Sequence, residues 1–180
     1  YSFVSPAIFD KIRLPEDSCL RNALRIQNPL GEDTSIMRTI ALPSMLEILS
    51  RNSAYHNKSA KLYELAKIYL PVEGQTLPEE PRMLLLGTYG AGESFFTLKG
   101  ELEAIFTNLR LKKASYAADK TNPSYHPGRC AEIYCQDQLI GYTGQVHPVV
   151  LDNYDIGTET YVAELDMGTM YALVSAKSEY

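Results

Sequence analysis

The stretch HPGRCAEIYCQDQLIGYTGQVHP, residues 126–148, decides the fold class, because two alternating apolar segments lie on either side of a short polar break. The segments CAEIYCQ and LIGYTGQV flank Asp137-Gln138. Alternation of apolar and polar side chains on both sides of such a break is typical of two antiparallel strands joined as a β-hairpin. The stretch therefore predicts a β-hairpin.

The ends and the glycines of this hairpin are interpreted as architectural. His126-Pro127-Gly128 and His147-Pro148 stand at its two ends, where proline and glycine favour turns. Gly141 and Gly144 are three residues apart on one strand, and a glycine within a strand allows a neighbouring element to approach closely. We predict a structural role for all of them.

Two histidines and two cysteines in the same stretch could also indicate a metal or nucleophilic site. Cys130 and Cys135 are five residues apart, which sends their side chains to opposite faces of a strand. No pair of Cys or His residues has the spacing of a zinc site. A Cys–His nucleophilic pair needs only to meet in space, but no local signature supports one. Since a thiol packs like a small apolar group, we expect unbridged, metal-free core cysteines.

Periodicity elsewhere in the chain predicts a mixture of helices and strands. Helices are predicted over 6–12, 43–52, 97–109 with Thr97 as the cap, and 168–175; strands are predicted over 1–4, 61–71, 82–90 and 160–167, the last of them half-buried. The segment 72–81 is a loop by composition. Because strands cluster late and helices are few, the predicted fold class is α+β with a mostly antiparallel sheet.

Composition limits the function classes. The chain has 180 residues, which suits a single domain over 1–180, and its net charge of −5 argues against a surface devoted to nucleic acid. The basic run Arg110–Lys113 is interpreted as a solvated helix end, although it could contact a few phosphates. No apolar run is long enough to cross a bilayer. Three unevenly spaced cysteines favour a reducing, cytoplasmic setting. The first residues have no signal-peptide pattern and begin like a strand entered abruptly, so we expect a longer chain.

The order of several segments identifies a family resemblance. NPLGEDTSIMRTIALPSMLEILSRN, KLYELAKIY, FFTLKGELEAIF, the stretch 126–156 and YVAELDM follow one another along the chain. Together they resemble the beta subunit of bacterial phenylalanyl-tRNA synthetase over about residues 1–170. The resemblance implies the antiparallel sheet and flanking helices of a class II aminoacyl-tRNA synthetase, in a core domain that does not form the aminoacyl-adenylate.

The places that hold ATP in class II enzymes differ here. The resemblance places the second motif at LYELAKIYL, residues 62–70, which contains Lys67 but no arginine. It places the third motif at AELDMGTMYAL, residues 163–173, which contains no arginine, and Glu164 has no evident metal-binding partner. The planar guanidinium of an arginine in these motifs would supply the cationic fork that binds a phosphate. The resemblance therefore implies no catalytic residue, no metal and no cofactor in this domain, with ATP and magnesium used by the holoenzyme.

The resemblance also implies partners. They are the alpha subunit of a cytoplasmic heterotetramer and, through the holoenzyme, tRNA; no membrane is involved. The segment 37–52 is similar to the first class II motif, and we predict a subunit interface at Met45, Ile48 and Leu49 because the apolar surface of this helix is broader than one face requires. Changing Ile48 or Leu49 to Glu should then weaken capture of the alpha subunit with little change in melting temperature. The alternative, in which this helix packs wholly within its own domain, also stays open.

Two further functions stay open at this level. A stand-alone paralogue with the synthetase fold could act as a small-molecule enzyme or binding module. A regulatory module could use the vestigial pocket, although no residue pattern names its ligand.

Overall fold

A computed structural model describes residues 2–111 and 114–175 of the chain. Its strands and helices follow in the order β1 (Phe3–Val4), α1 (Ile8–Lys11), β2 (Ile36–Met37), α2 (Leu42–Ala54), β3 (Ala60–Lys67), β4 (Arg82–Tyr89), α3 (Phe95–Asn108), β5 (Ser115–Ala118), β6 (Tyr125–Cys135), β7 (Gln138–Val146), α4 (Pro148–Asn153), β8 (Thr160–Asp166) and α5 (Met167–Ser175). Tyr1 of the first predicted strand, Lys112 and Lys113 of the basic run, and residues 176–180 lie outside the described residues.

Six of the strands form one antiparallel sheet in the order β3-β4-β8-β7-β6-β5, and β1 pairs with β2 in a small separate ribbon. The predicted α+β class with an antiparallel sheet is confirmed. The predicted hairpin forms from β6 and β7, and β8 inserts between β7 and β4. The strand nearest the C-terminus of the described chain therefore lies at the centre of the sheet.

Helices cover both faces of the sheet. On one face, α2 packs on β3 and β4 over a cluster that includes Leu46, Leu85 and Val162. On the other face, α3 and α5 pack on β7 and β8 over a second cluster that includes Leu102 and Leu165. Because β8 supplies Val162 to the first cluster and Leu165 to the second, the prediction of a half-buried strand is wrong: this strand is buried on both faces.

The helix α2 shows how local sequence and packing agree. Pro43 occupies the first turn, where its missing N–H costs no hydrogen bond. Met45 and Leu49 project onto β4 where that strand has Gly87: a Cβ built on Gly87 would lie 2.7 Å from the Met45 sulfur and 2.9 Å from a Leu49 methyl. Glycine therefore allows the helix to sit close to the sheet.

The beginning of α3 differs from the prediction. Ser94, not Thr97, is the N-cap: the Ser94 hydroxyl accepts from the Thr97 N–H at 3.2 Å, and the Thr97 hydroxyl accepts from the Ser94 N–H at 2.7 Å. This reciprocal capping box satisfies two N–H groups that the helix itself leaves unpaired. Thr97 is thus the third helical residue, and the helix begins at Phe95.

The hairpin also differs in detail. Its two-residue turn is Gln136-Asp137, with φ values of 53° and 62°, so the turn lies one residue earlier than predicted. Left-handed φ at both positions matches the twist of the flanking strands. At the other end, Tyr125 pairs with Val146 and Cys130 with Gly144, so residues 126–129 form a bulge inside β6.

Three short elements were not predicted: the strands β2 and β5 and the helix α4. The four-residue strand β5 adds an edge to β6, and three of its residues are exposed. His147 and Pro148 begin α4 rather than closing a turn: the His147 Nδ1 accepts from the Val149 N–H at 3.1 Å, and Pro148 occupies the first helical turn. The predicted strand 61–71 is shorter, since β3 ends at Lys67.

Candidate functional site

A buried carboxylate lies at the centre of the sheet. Glu164 is on β8 and only 8% exposed, and its Oε1 accepts a hydrogen bond from the Tyr125 hydroxyl of β6 at 2.7 Å. Burial raises the pKa of Glu164 to about 7, and the hydrogen bond from Tyr125 opposes that rise. Near neutral pH this side chain is therefore balanced between its protonated and ionised forms.

The hydrogen bond also fixes the state of its partner. Burial raises the pKa of Tyr125 well above its ordinary value, and the nearby Glu164 adds to the effect. Tyr125 consequently remains a protonated donor. Burial likewise raises the pKa of the Cys130 thiol to about 12, so this side chain is neutral and unreactive in the folded protein.

Glu164 lines a cavity of about 350 Å³ beside β8. Ile40, Met83 and Leu139 contribute apolar wall, and Asp166, two residues further along the same face of β8, contributes a second carboxylate. Asp166 is already engaged, because it accepts hydrogen bonds from the Gly168 and Thr169 N–H groups and the Thr169 hydroxyl at the beginning of α5.

An arginine is buried near the same face, and each of its three side-chain nitrogens donates a hydrogen bond to the protein. The Arg38 side chain is 4% exposed; it donates to the Lys67 carbonyl at 2.8 Å, the Ser44 hydroxyl at 3.0 Å and the Glu64 carboxylate at 2.9 Å. These contacts tie the segment before α2 to β3. The guanidinium is therefore occupied by protein groups and is not presented to a phosphate.

Within the described residues, the two segments that resemble the ATP-binding motifs, 62–70 and 163–173, contain no arginine. On β3, Lys67 forms an exposed ion pair with Glu80 at 2.7 Å, on the opposite face from the Arg38 contact with Glu64. In the segment formed by β8 and α5, the charged side chains are Glu164 and Asp166, and both are acidic. The chemistry of this face is thus suited to cations rather than to a nucleotide triphosphate.

The three predicted interface residues lie on two different sides of α2. Met45 and Leu49 face the sheet and are 2% and 0% exposed, because β4 has Gly87 beneath them. Ile48 is 43% exposed. In the folded domain only Ile48 is available to a partner, and Leu49→Glu would place a charge in the core. Leu49→Glu should therefore lower the melting temperature, and the prediction from the sequence that it leaves this temperature nearly unchanged is wrong.

Ile48 borders a groove of about 730 Å³ between α1, α2, β1 and β3. Phe3 and Tyr63 add exposed aromatic surface, and Glu47 and Arg51 add charges from α2. An apolar strip with a charged rim has the composition of a protein contact surface.

The predicted hairpin residues have structural contacts. His126 Nδ1 accepts from the Gly128 N–H at 3.1 Å within the bulge that also contains Pro127. A Cβ built on Gly144 would lie 2.6 Å from the Arg129 carbonyl oxygen, and one on Gly141 would overlap the Glu164 carbonyl. Both glycines therefore lie where the neighbouring strand comes too close for a side chain.

Cys130 and Cys135 pack in the two different clusters on opposite faces of the sheet, and neither forms a disulfide. No group of three or more His, Cys, Asp or Glu residues in the described ranges is arranged to hold a metal ion. Nor does any helix in those ranges have the length and apolar character needed to cross a membrane.

Sequence reasoning missed two residues of this face, Tyr125 and Arg38. Each contacts a partner distant in the chain: Tyr125 donates to Glu164, and Arg38 donates to Glu64. The signal for Tyr125 is a charged residue, Glu164, between Ala163 and Leu165 in an apolar strand. Such a residue needs a buried donor.

The fold is that of a class II aminoacyl-tRNA synthetase core. The crystal structure of pyrrolysyl-tRNA synthetase from Desulfitobacterium hafniense has a TM-score of 0.77 over 98% of this chain and 62% of that chain, and with 12% identity the likeness is one of fold. The family model described as phenylalanyl tRNA synthetase beta chain CLM domain matches residues 1–167, and the chain belongs to this family.

Curated relatives agree with the family. Proteins named phenylalanine–tRNA ligase beta subunit are 45% identical in Clostridium tetani and 46% identical in Clostridium acetobutylicum, each over 100% of this chain. The chain spans 23% of the length of both relatives. The comparisons give no support to a stand-alone paralogue.

Proposed function

We propose that this chain is the non-catalytic, class II-like core of a phenylalanine–tRNA ligase beta subunit. It supports assembly with the alpha subunit and the placement of tRNA, while ATP and magnesium are used elsewhere in the cytoplasmic holoenzyme. The relatives are named phenylalanine–tRNA ligase beta subunit, which supports the reaction and a role beside at least one other subunit. The charged groups at the sheet face support the proposal that this domain is not catalytic.

The observation that supports a non-catalytic role is that Arg38, the arginine at the sheet face, is bound by other protein groups. Transfer of an adenylyl group requires cations that face the triphosphate and are not already neutralised. Arg38 is buried and bound to Glu64, Ser44 and a main-chain carbonyl. The groups that face the cavity instead, Glu164 and Asp166, would repel a nucleotide triphosphate.

The surface that supports assembly is the groove beside α2. Ile48 is an aliphatic side chain that the domain's own core does not cover, and Phe3 and Tyr63 extend the apolar surface across the groove. Isolated exposed apolar residues are ordinary, but three of them in one groove with a charged rim favour a protein partner. We assign this groove to the alpha subunit.

Capture of the alpha subunit tests this assignment. Ile48→Glu should weaken capture in a pull-down at least tenfold, because a charge would be placed in a desolvated contact. Val149→Glu is the matched control: it is also an aliphatic-to-acid change on a helix, at 47% exposure, but outside the groove. Equal capture by both variants would show that the subunit contact lies elsewhere.

A further inference from the structure

The cavity beside Glu164 has the features of a small-ligand site that the assembly role does not use. Its volume of about 350 Å³ is at the lower end of the range for small-molecule pockets. Most of its wall is apolar, and its residues include no Lys, Arg or His. Asp166 is engaged at the beginning of α5, so Glu164 is the carboxylate left to meet a ligand.

One oxygen of Glu164 is unengaged by protein. Tyr125 donates to Oε1, and no other hydrogen bond reaches this carboxylate from the residues that the structure describes. A buried carboxylate with a spare oxygen is costly, and a cation that both donates a hydrogen bond and neutralises the charge would remove that cost.

We propose that this cavity binds a small organic cation, a primary amine carrying a short apolar chain, with its ammonium group against the Glu164 carboxylate. The apolar chain lies along Ile40, Met83 and Leu139. An ammonium group supplies three donors, one of which fits the spare oxygen. An anion or a zwitterion with an exposed carboxylate would be repelled by Glu164 and Asp166.

The proposal predicts a characteristic pH dependence. The titratable groups that face Glu164 are Tyr125 and Cys130 on β6, Tyr142 on β7 and Asp166 on β8. The pKa values of the two tyrosines and the cysteine are raised by burial, so these groups stay neutral between pH 6 and 8 while Glu164, with its pKa of about 7, ionises. Since Glu164 attracts the ammonium group only in its ionised form, the affinity for the amine should rise about tenfold from pH 6 to pH 8.

Binding of n-hexylamine, followed by calorimetry or ligand-observed NMR on the purified protein, tests the proposal, and 1-hexanol is the neutral counterpart. At pH 8 the amine should bind at least tenfold more tightly than the alcohol. Glu164→Gln should abolish this preference. Glu132→Gln is the matched control, because Glu132 also accepts from a tyrosine hydroxyl, that of Tyr134 at 2.7 Å, but lies outside the cavity; it should keep the preference.

Three results would overturn the proposal: no saturable binding of the amine, equal binding of amine and alcohol, or equal binding of the amine by Glu164→Gln and the unchanged protein. The pH measurement on the unchanged protein requires no variant, so it decides the matter even if Glu164→Gln folds poorly. An affinity that is constant from pH 6 to pH 8 would also contradict the role of Glu164. None of these outcomes bears on the contact with the alpha subunit.

Discussion

Replacing Glu164 by Gln should change how the stability of this domain depends on pH. Glu164 has a pKa of about 7 in the folded protein against an ordinary value of 4.5. The folded state therefore holds the proton more tightly than the unfolded state, and stability contributed by the protonated form is lost as the pH rises between these values. The difference of about 2.5 units corresponds to roughly 3 kcal/mol.

The expected result follows from this sign. Below pH 4.5, Glu164 of the parent is protonated in both the folded and the unfolded state, and the Gln side chain of the variant is neutral. The free energies of unfolding of the two proteins should then differ by a small constant, since Gln can still accept from Tyr125. Between pH 4.5 and 7 the parent should lose about 3 kcal/mol relative to the variant, and above pH 7 the variant should remain the more stable.

Urea unfolding at a series of pH values measures this difference, provided that the transition is two-state. Glu132→Gln supplies the baseline for loss of a carboxylate that also accepts from a tyrosine but faces the surface of the sheet more openly. If the free energies of unfolding of Glu164→Gln and the parent run parallel from pH 4.5 to 8, the carboxylate is not desolvated as the structure shows it, and the reasoning fails.

Two further predictions concern the core. Arg38→Ala should lower the free energy of unfolding by about 3 kcal/mol, because it breaks a largely buried ion pair and leaves Glu64 unpaired. Lys67→Ala breaks an exposed ion pair and should lower the free energy of unfolding by less than about 1 kcal/mol. Chemical denaturation of the two variants measures the difference. Exposed Cys19 should react with a thiol reagent at once and Cys130 only on unfolding, as burial raises its pKa to about 12; fast modification of Cys130 in folded protein would contradict the packing.

Much of the fold could be predicted where a segment carries its own signal. Alternation predicts the hairpin β6–β7, and Pro43 with the apolar spacing after it predicts α2 to within two residues. The beginning of α3 was missed although Ser94 and Thr97 form a recognisable cap, because Phe96 is 78% exposed and breaks the apolar periodicity. The strand β5 is too short and too exposed to show a pattern.

The candidate site depended on long-range order that local pattern does not encode. That β8 is buried on both faces follows from its place between β4 and β7. The hydrogen bond from Tyr125 to Glu164 crosses β7, which lies between their two strands. Likewise Met45 and Ile48 have the same apolar character in the sequence. The direction in which the helix packs, set by Gly87 of β4, makes one core and the other surface.

The most direct test of the silent role is phenylalanine-dependent exchange of pyrophosphate into ATP by the purified protein. We expect no exchange above a blank without protein, because the buried arginine is neutralised by Glu64 and the cavity presents Glu164 and Asp166 to any nucleotide. Exchange clearly above the blank that disappears on changing Glu164 or Lys67 would contradict the account and make this domain an enzyme.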